Sequence, residues 1–378
     1  MRVGIILPGF SSDEHDWAIP VQLNLVHEMA AHDDVRVLAL RYPHRRDQYE
    51  VYGAKVHALG VGQVRGLGRL KLWADALFTL RSLHNEQPFD VLHAMWADET
   101  GLLAAWAGRW LGISVVVSIA GGELVGFDDL HYGLQRSAFS RWIVGQALGG
   151  ANCVIAACNY ARRLISEAGY SLPHYKTRTI TLGVDTSTFT PPNSNQQPPE
   201  TKLIHIASLV GVKDQSTLLR AIARLDDTIT LDIIGTGSEE KHLRTLAAEL
   251  GISERIRFLG AVPHLDLPAY YQQATLNVLC SRHEGLGMVT LEAAACGIPT
   301  VGTAVGLLPD FPQLGMSIPV GDDIALANTI NALLTDNKKR IALGQSARKL
   351  VEERFTIQET VRQFRTLYAE LIAVKSTN

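Results

Sequence analysis

The chain has 378 residues, more than one core comfortably holds and about right for two domains of ordinary size. Its 47% hydrophobic and 19% charged residues are a globular composition, which excludes an extended disordered chain. A formal net charge of −3 argues against a partner read through phosphates, so no nucleic acid is expected.

The opening MRVGIILPGF is followed at once by SSDEHD, and reads as a first β-strand rather than a signal peptide. Candidate strands follow at Val3–Leu7, Val35–Leu40, Val91–His93, Ser114–Ile119 and Cys153–Ala156. Between them, helical patterns run over Ile19–Ala31, Leu67–Leu83, Thr100–Leu111 and Leu130–Leu148. Strands that are continuous apolar runs, such as SVVVSIA, suit a parallel sheet covered on both faces. Repeated βα units predict a doubly wound fold. The polar, proline-rich PPNSNQQPPE at 191–200 has linker chemistry.

The alternation then restarts: strand Leu203–Ala207, helix Gln215–Leu225, strand Thr230–Ile234, helix Glu239–Leu250 stopped by Gly251. A strand at Ile256–Leu259, a helix at Leu267–Ala274 and a strand at Leu276–Cys280 follow. The prediction is two Rossmann-like domains: residues 1–188 completed by a C-terminal helix at 358–378, a linker at 189–200, and residues 201–357. In such an architecture ligands meet the carboxyl ends of the strands, in a cleft between the two sheets. The four cysteines form no C-x-x-C pair and read as buried free thiols. No stretch approaches the ~18 apolar residues of a membrane span, so a cytoplasmic protein is expected.

The most informative segment is SRHEGLGMVTLEAAACGIPTVGTAVGLLPD, residues 281–310. Glu284 falls just after a strand, and Gly285 and Gly287 allow a tight turn and close approach to a ligand. A helix is predicted to begin near Met288 and to end at Gly297, before Pro299. Its first N–H groups have no partner within the helix, and its dipole favours an anion such as a diphosphate. Glu292, about one turn in, is placed to accept hydrogen bonds from a ribose. Read without that context, the two glutamates are the solvated ends of an ordinary helix.

With it, the E-x7-E pair Glu284 and Glu292, inside EGLGMVTLEAAACGIPTV, resembles family 4 of the retaining GT-B glycosyltransferases. The resemblance implies a donor sugar held by Glu284, a nucleotide ribose held by Glu292, and phosphate and sugar bound along Leu286, Gly287, Met288 and Val289. HIASLVGVKD resembles the family's G-R-L-x-x-x-K-G segment, which puts Lys213 on the phosphate-contacting lysine and Ser208 where the family has an arginine. DIIGTGSEE and FLGAVPHLDLPAYY resemble the nucleotide-side turn and the segment near the base, so Gly235, Gly237 and Val262 are possible wall residues. TLGVD resembles N-G-V-D, with Leu182 for asparagine. The helix Gln358–Ile372 resembles the one that crosses back to the first domain. Leu307 and Asp310 depart from the family's glycine and glutamate.

On the acceptor side, Gly9 lies in a turn similar to the family's glycine-rich loop. SIAGGELVG has Ala120 where the family often has a histidine, and leaves Gly121, Gly122 and Glu123 near the reacting sugar. His93 and Asp98, after another strand, are expected on the same side. His93 either meets the acceptor and moves a proton, or is a core or capping histidine.

The resemblance thus implies metal-independent transfer of a sugar from a nucleotide-diphosphate sugar, a co-substrate rather than a cofactor, to a glycan, lipid-linked or small-molecule acceptor. An epimerase, a phosphorylase and a silent sugar-nucleotide-binding protein are the alternatives. The segment 64–78 sets Arg65, Arg69 and Lys71 beside apolar residues; it is either a peripheral membrane contact or a core-facing helix with a basic edge.

Overall fold

A computed structural model describes residues 1–16, 19–192 and 201–376. Residues 193–200 of the expected linker lie outside the described residues. The chain divides into two compact units, Met1–Leu182 with Ile357–Asn378, and Gly183–Thr356. The division falls a few residues before position 188, because Val184 N donates to Phe355 O and bridges to Thr356 within the second unit.

In the first unit the elements are β1 (Arg2–Gly9), α1 (Pro20–Ala30), β2 (Asp34–Tyr42), β3 (Asp47–Val51), β4 (Ala54–Ala58), α2 (Leu67–Glu86), β5 (Val91–Met95), α3 (Glu99–Leu111), β6 (Ser114–Ile119), α4 (Ala138–Gly150), β7 (Cys153–Ala156), α5 (Asn159–Glu167) and β8 (Thr177–Thr179). They build an eight-stranded sheet in the order β3-β4-β2-β1-β5-β6-β7-β8, parallel except where β3 meets β4. The C-terminal helix Ile357–Ser376 packs in this unit, burying Phe364 and Tyr368.

Helix α5 and strand β8 are not among the expected elements, and two further features differ from expectation. The helix predicted over 130–148 starts only at Ala138, because Ser137 caps it by accepting from Ser140 N. The residues before it form a bridge, Phe127 with Tyr132, and a short 3-10 turn at Leu134–Arg136. Strands β3 and β4 had no apolar run to announce them; DQYEV and AKVHA pair through their backbones while polar side chains alternate outward.

The second unit contains β9 (Lys202–Ile206), α6 (Gln215–Ile222), β10 (Thr230–Ile234), α7 (Glu240–Glu249), β11 (Ile256–Gly260), α8 (Leu267–Tyr271), β12 (Leu276–Leu279), α9 (Met288–Ala295), β13 (Thr300–Thr303), β14 (Gly315–Ile318), α10 (Asp323–Thr335) and α11 (Asn337–Arg354). Its parallel sheet runs β11-β10-β9-β12-β13-β14. Leu203, Leu218, Ile222, Leu231 and Ile233 are fully or almost fully buried in its core. Truncating one of these leucines to alanine costs about 2–5 kcal/mol.

This order positions the site. The connection from β9 leads outward to β10 on one side, whereas that from β12 leads to β13 on the other. The loops after β9 and β12 therefore diverge over two strands that lie side by side, paired Leu203 with Leu276 and Ile204 with Asn277. Such a switch point opens a crevice at the carboxyl ends of the strands, where ligands bind in sheets of this kind. All four cysteines are buried free thiols.

Candidate active site

The loop after β9 makes a 3-10 turn at Gly211–Lys213 and enters α6 through Asp214, whose carboxylate accepts from Thr217 N and Oγ1. Two bonds clamp this loop to the one after β12: Arg282 N donates to Val212 O (2.8 Å), and Cys280 Sγ to Lys213 O (3.1 Å). Across the clamp, Lys213 Nζ donates to Glu284 Oε1 at 2.6 Å. Ser281 Oγ donates to the same oxygen at 2.6 Å. The side chains remain 23% and 12% exposed, so the pair is partly desolvated yet open to a ligand.

Gly287 then starts α9 in the left-handed region (φ +85°), a conformation costly for any residue with a Cβ. No side chain caps α9, whose first turn carries Met288 and Val289. Thr290 N donates to Gly287 O, and the N–H groups of Met288 and Val289 at the helix start have no partner within the helix to keep them from an anion. Leu286, just before the turn, is buried, and its carbonyl accepts from Leu307 N.

Glu292 is 5% exposed. Its Oε1 lies 3.0 Å from His264 Nε2, and its Oε2 accepts from Tyr271 Oη at 3.1 Å. Tyr271 Oη also reaches Val289 O at 3.3 Å. Burial, and then the neighbouring Glu292 charge, push the Tyr271 phenol well above its ordinary range, so it stays a donor. Phe189 packs its ring against both His264 and Tyr271. Glu292 is therefore held by its own protein rather than lying bare on the helix surface. A carboxylate has about four lone-pair sites, and two are used here.

Gly235 and Gly237 lie after β10, where the backbone comes close to the loop after β9. A Cβ on Gly235 would stand 2.0 Å from Ala207 O, and one on Gly237 2.1 Å from Leu209 O. Ser208, between them, is exposed, and its carbonyl accepts from Gln215 Nε2. Val262 is half-buried two residues before His264. The second unit thus gathers Lys213, Glu284, Glu292, Ser208 and the two glycines at one end of its sheet. Sequence reasoning missed Ser281, His264 and Tyr271. Ser281 had one available signal, its position three residues before Glu284 at the strand end.

In the first unit the acceptor-side residues fare differently. His93 is completely buried, with Nδ1 2.6 Å from Tyr368 Oη and Nε2 2.7 Å from Ser118 Oγ. Burial pushes its pKa down to about 3, so it is a neutral core histidine and not an acceptor-facing group. Asp98 is likewise spent locally: it caps α3 and accepts from Thr100 N and Oγ1. Gly9 is not in a loop but is the last residue of β1, paired with Tyr42, whose Cβ would lie 2.8 Å from an added Cβ.

Gly121, Gly122 and Glu123 follow β6 at its carboxyl end. Glu123 is buried, and folds its loop by accepting from Ala97 N, Ala120 N and Gly121 N. Burial raises its pKa, against the opposing pull of backbone donors including Ala120 N and Gly121 N. Beside it Trp96 holds a positive φ of 84°, strained for a bulky residue, with its N–H on Ser118 O and its carbonyl on Thr100 Oγ1. A Cβ on Gly121 would meet the indole Nε1 at 3.2 Å, and one on Gly122 the Tyr132 ring at 2.9 Å. Among the described residues, no group of three or more His, Cys, Asp or Glu is placed to hold a metal ion.

Comparison with known proteins points to glycosyltransferases. The family model described as "Glycosyl transferases group 1" matches residues 187–350, and that described as "Glycosyl transferase 4-like domain" matches residues 19–183. The N-acetyl-alpha-D-glucosaminyl L-malate synthase of Bacillus anthracis is 32% identical over 175 residues, 45% of each chain. The D-inositol 3-phosphate glycosyltransferase of Corynebacterium jeikeium is 32% identical over 226 residues, 54% of each. A GDP-mannose-dependent alpha-(1-6)-phosphatidylinositol monomannoside mannosyltransferase of Mycolicibacterium smegmatis is 32% identical over 64% of this chain and 66% of its own. The chain thus spans about half the length of the first two of these relatives.

Among solved structures, a sucrose-phosphate synthase from Thermosynechococcus elongatus superposes with a TM-score of 0.83 at 21% identity, covering 99% of both chains. HepE of Anabaena, in complex with UDP and glucose, gives 0.77 at 19% identity over 98% of this chain and 100% of its own. At these identities the likeness shows the fold: two Rossmann-like units of the GT-B type.

Proposed function

Because the chain belongs to the glycosyl transferases of group 1, we propose that it moves a sugar from a nucleotide-diphosphate sugar to a hydroxyl acceptor with retention of anomeric configuration. The observation that carries this reading is the Lys213–Glu284 pair at the switch point between β9 and β12. A cation and a carboxylate side by side suit a ligand that is anionic at one end and rich in hydroxyls at the other. The diphosphate lies against Lys213 and the start of α9, where ammonium and helix N–H groups stabilise the departing charge. Glu284 accepts from the sugar hydroxyls, and Glu292 uses its remaining lone pairs on the ribose.

The bond from the anomeric carbon to the phosphate oxygen breaks first, through an oxocarbenium-like state. The acceptor oxygen bonds to the same face, and its proton passes to an oxygen of the leaving diphosphate. Lys213 and the helix supply the counter-charge in this scheme, so no metal is required. Ser208, in place of the family's arginine, leaves more of that charge to Lys213. The names of the relatives speak of L-malate, inositol 3-phosphate and phosphatidylinositol monomannoside, which supports an acceptor hydroxyl on a small polyol, acid or lipid headgroup.

The test is a thermal-shift panel of UDP, GDP, ADP and their sugar conjugates on the wild type and on Glu292→Ala. A nucleotide that binds only the folded chain raises its Tm by mass action. One hit, weakened in the variant, names the base; incubation with candidate acceptors then tests for nucleotide release, and NMR of the product reads the anomeric configuration. A hit with no release under any acceptor favours a silent binding protein, the reading to which Ser208 points. A flat panel overturns the donor site.

A further inference from the structure

The helices α2, α3 and α4 form one layer over a face of the first unit's sheet, and each carries large apolar side chains into solvent. Leu67 (83% exposed), Leu70 (56%) and Phe78 (63%) stand on α2, Trp110 (48%) on α3, and Phe139 (45%) and Trp142 (44%) on α4. They fall into two aromatic groups on this layer: Phe78 meets Trp110 edge-on at 6.3 Å, and Phe139 stacks with Trp142 at 5.9 Å, with Trp106 joining Trp142 to the buried Trp73. A surface apolar patch of this breadth marks an interaction site.

Its chemistry selects the partner. Arg81 lies over the Trp110 ring at 4.8 Å and Arg69 over Phe139 at 5.2 Å, so guanidinium groups border the aromatics directly. Lys71, Arg81, Arg109 and Arg141 are exposed on the same three helices. The acidic residues there are fewer, and Asp75 and Glu99 are paired with Arg46 and with Arg41 and Arg69. Tryptophan and phenylalanine fringed by arginine and lysine suit the headgroup boundary of an anionic bilayer, which takes rings and cations together. A protein partner requires no such excess of one charge. Among the described residues, no helix is long and apolar enough to cross a membrane, so this contact is one of lying on the surface.

We propose that the α2–α3–α4 face docks on anionic membranes. The N-terminal ends of α2 and α4, which carry Leu67, Leu70, Phe139 and Trp142, open at the carboxyl edge of the sheet, where the Gly121–Glu123 loop also lies. Docking there brings a lipid-borne hydroxyl to that edge. This consequence rests on the proposed transfer reaction, whereas the docking does not.

Flotation of the full chain with vesicles of phosphatidylcholine alone, or with about a third phosphatidylglycerol, tests the docking. Binding is expected to the anionic vesicles only, and to weaken as salt is raised. Phe78→Ser with Trp110→Ser is expected to lower partition about tenfold or more, and Arg81→Glu about fivefold or more, from one cation lost at an anionic surface. Circular dichroism and the melting temperature without ligand serve as the folding control, so the result does not depend on nucleotide binding. No partition into anionic vesicles by a folded wild type overturns the proposal. So does a concentration-dependent dimer in sedimentation that the Phe78 and Trp110 substitutions abolish, which assigns the face to a second copy of the chain.

Discussion

Lys213 Nζ and Glu284 Oε1 lie 2.6 Å apart although 71 positions separate the residues in the chain. They meet because β9 and β12 are neighbours in the sheet and their loops diverge. In the proposed reaction the pair would join the group that offsets a leaving diphosphate to the group that holds the sugar, so neither is expected to be replaceable.

Lys213→Ala and Glu284→Ala are each expected to lower turnover about a hundredfold or more, the size of effect seen when one transition-state donor is lost. Circular dichroism is expected to remain that of the wild type, because the sheet beneath is built from buried aliphatic residues. Near-normal kcat in both variants, measured by nucleotide release, would sink the assignment.

Tyr271→Phe removes one donor from the Glu292 carboxylate while keeping the ring against Phe189. An acceptor left short of a partner costs about 1–3 kcal/mol. Nucleotide affinity is expected to fall more than kcat, because Glu292 is assigned to the ribose and not to the bond that breaks. His264→Ala should act in the same direction. Calorimetric titration beside steady-state kinetics separates the two quantities; equal loss in both would remove the distinction.

Gly235→Ala sets a methyl group 2.0 Å from Ala207 O at a φ of 133°. The two loops must separate or the strand end must shift, at a cost of about 2 kcal/mol or more. Urea unfolding is expected to show this loss, and nucleotide affinity to fall with it. An unchanged midpoint would mean that the loops yield freely.

Acid should weaken the fold through two histidines. Burial pushes His93 down to about 3 and His205 to about 4, against about 6.5 for an exposed imidazole. Below pH 6.5 the unfolded chain takes up protons that the folded chain refuses, so stability falls as pH drops towards those values. The slope is about 1.4 kcal/mol per pH unit for each histidine. His205→Leu is expected to flatten the dependence of Tm on pH between 6.5 and 4. A parallel shift with unchanged slope would exclude His205 as a source.

Much of the fold was legible along the chain. SVVVSI in β6 is a near-continuous apolar run that suits a buried parallel strand, and the Gly297 and Pro299 that follow α9 stop it as expected. The hairpin β3–β4 was not legible, since its stability comes from backbone pairing at a sheet edge and its side chains show no apolar run. The start of α4 was misplaced because apolar residues at 130 and 134 mimic helical spacing, while Gly133 (φ +95°) and the cap at Ser137 set the chain's actual turn.

The sequence by itself determined the residue types and their local order: two alternating α/β halves, a glycine-framed glutamate, a second glutamate eight positions on, and a lysine after an earlier strand. Those depend on periodicity and short-range backbone preference, which a linear chain displays. Only the tertiary structure decided which side chains meet. It put His93 into the core against Tyr368, gave Glu292 the partners His264 and Tyr271, and closed Lys213 onto Glu284. Strand order and burial set these contacts, and both are properties of the packed chain that local spacing does not encode.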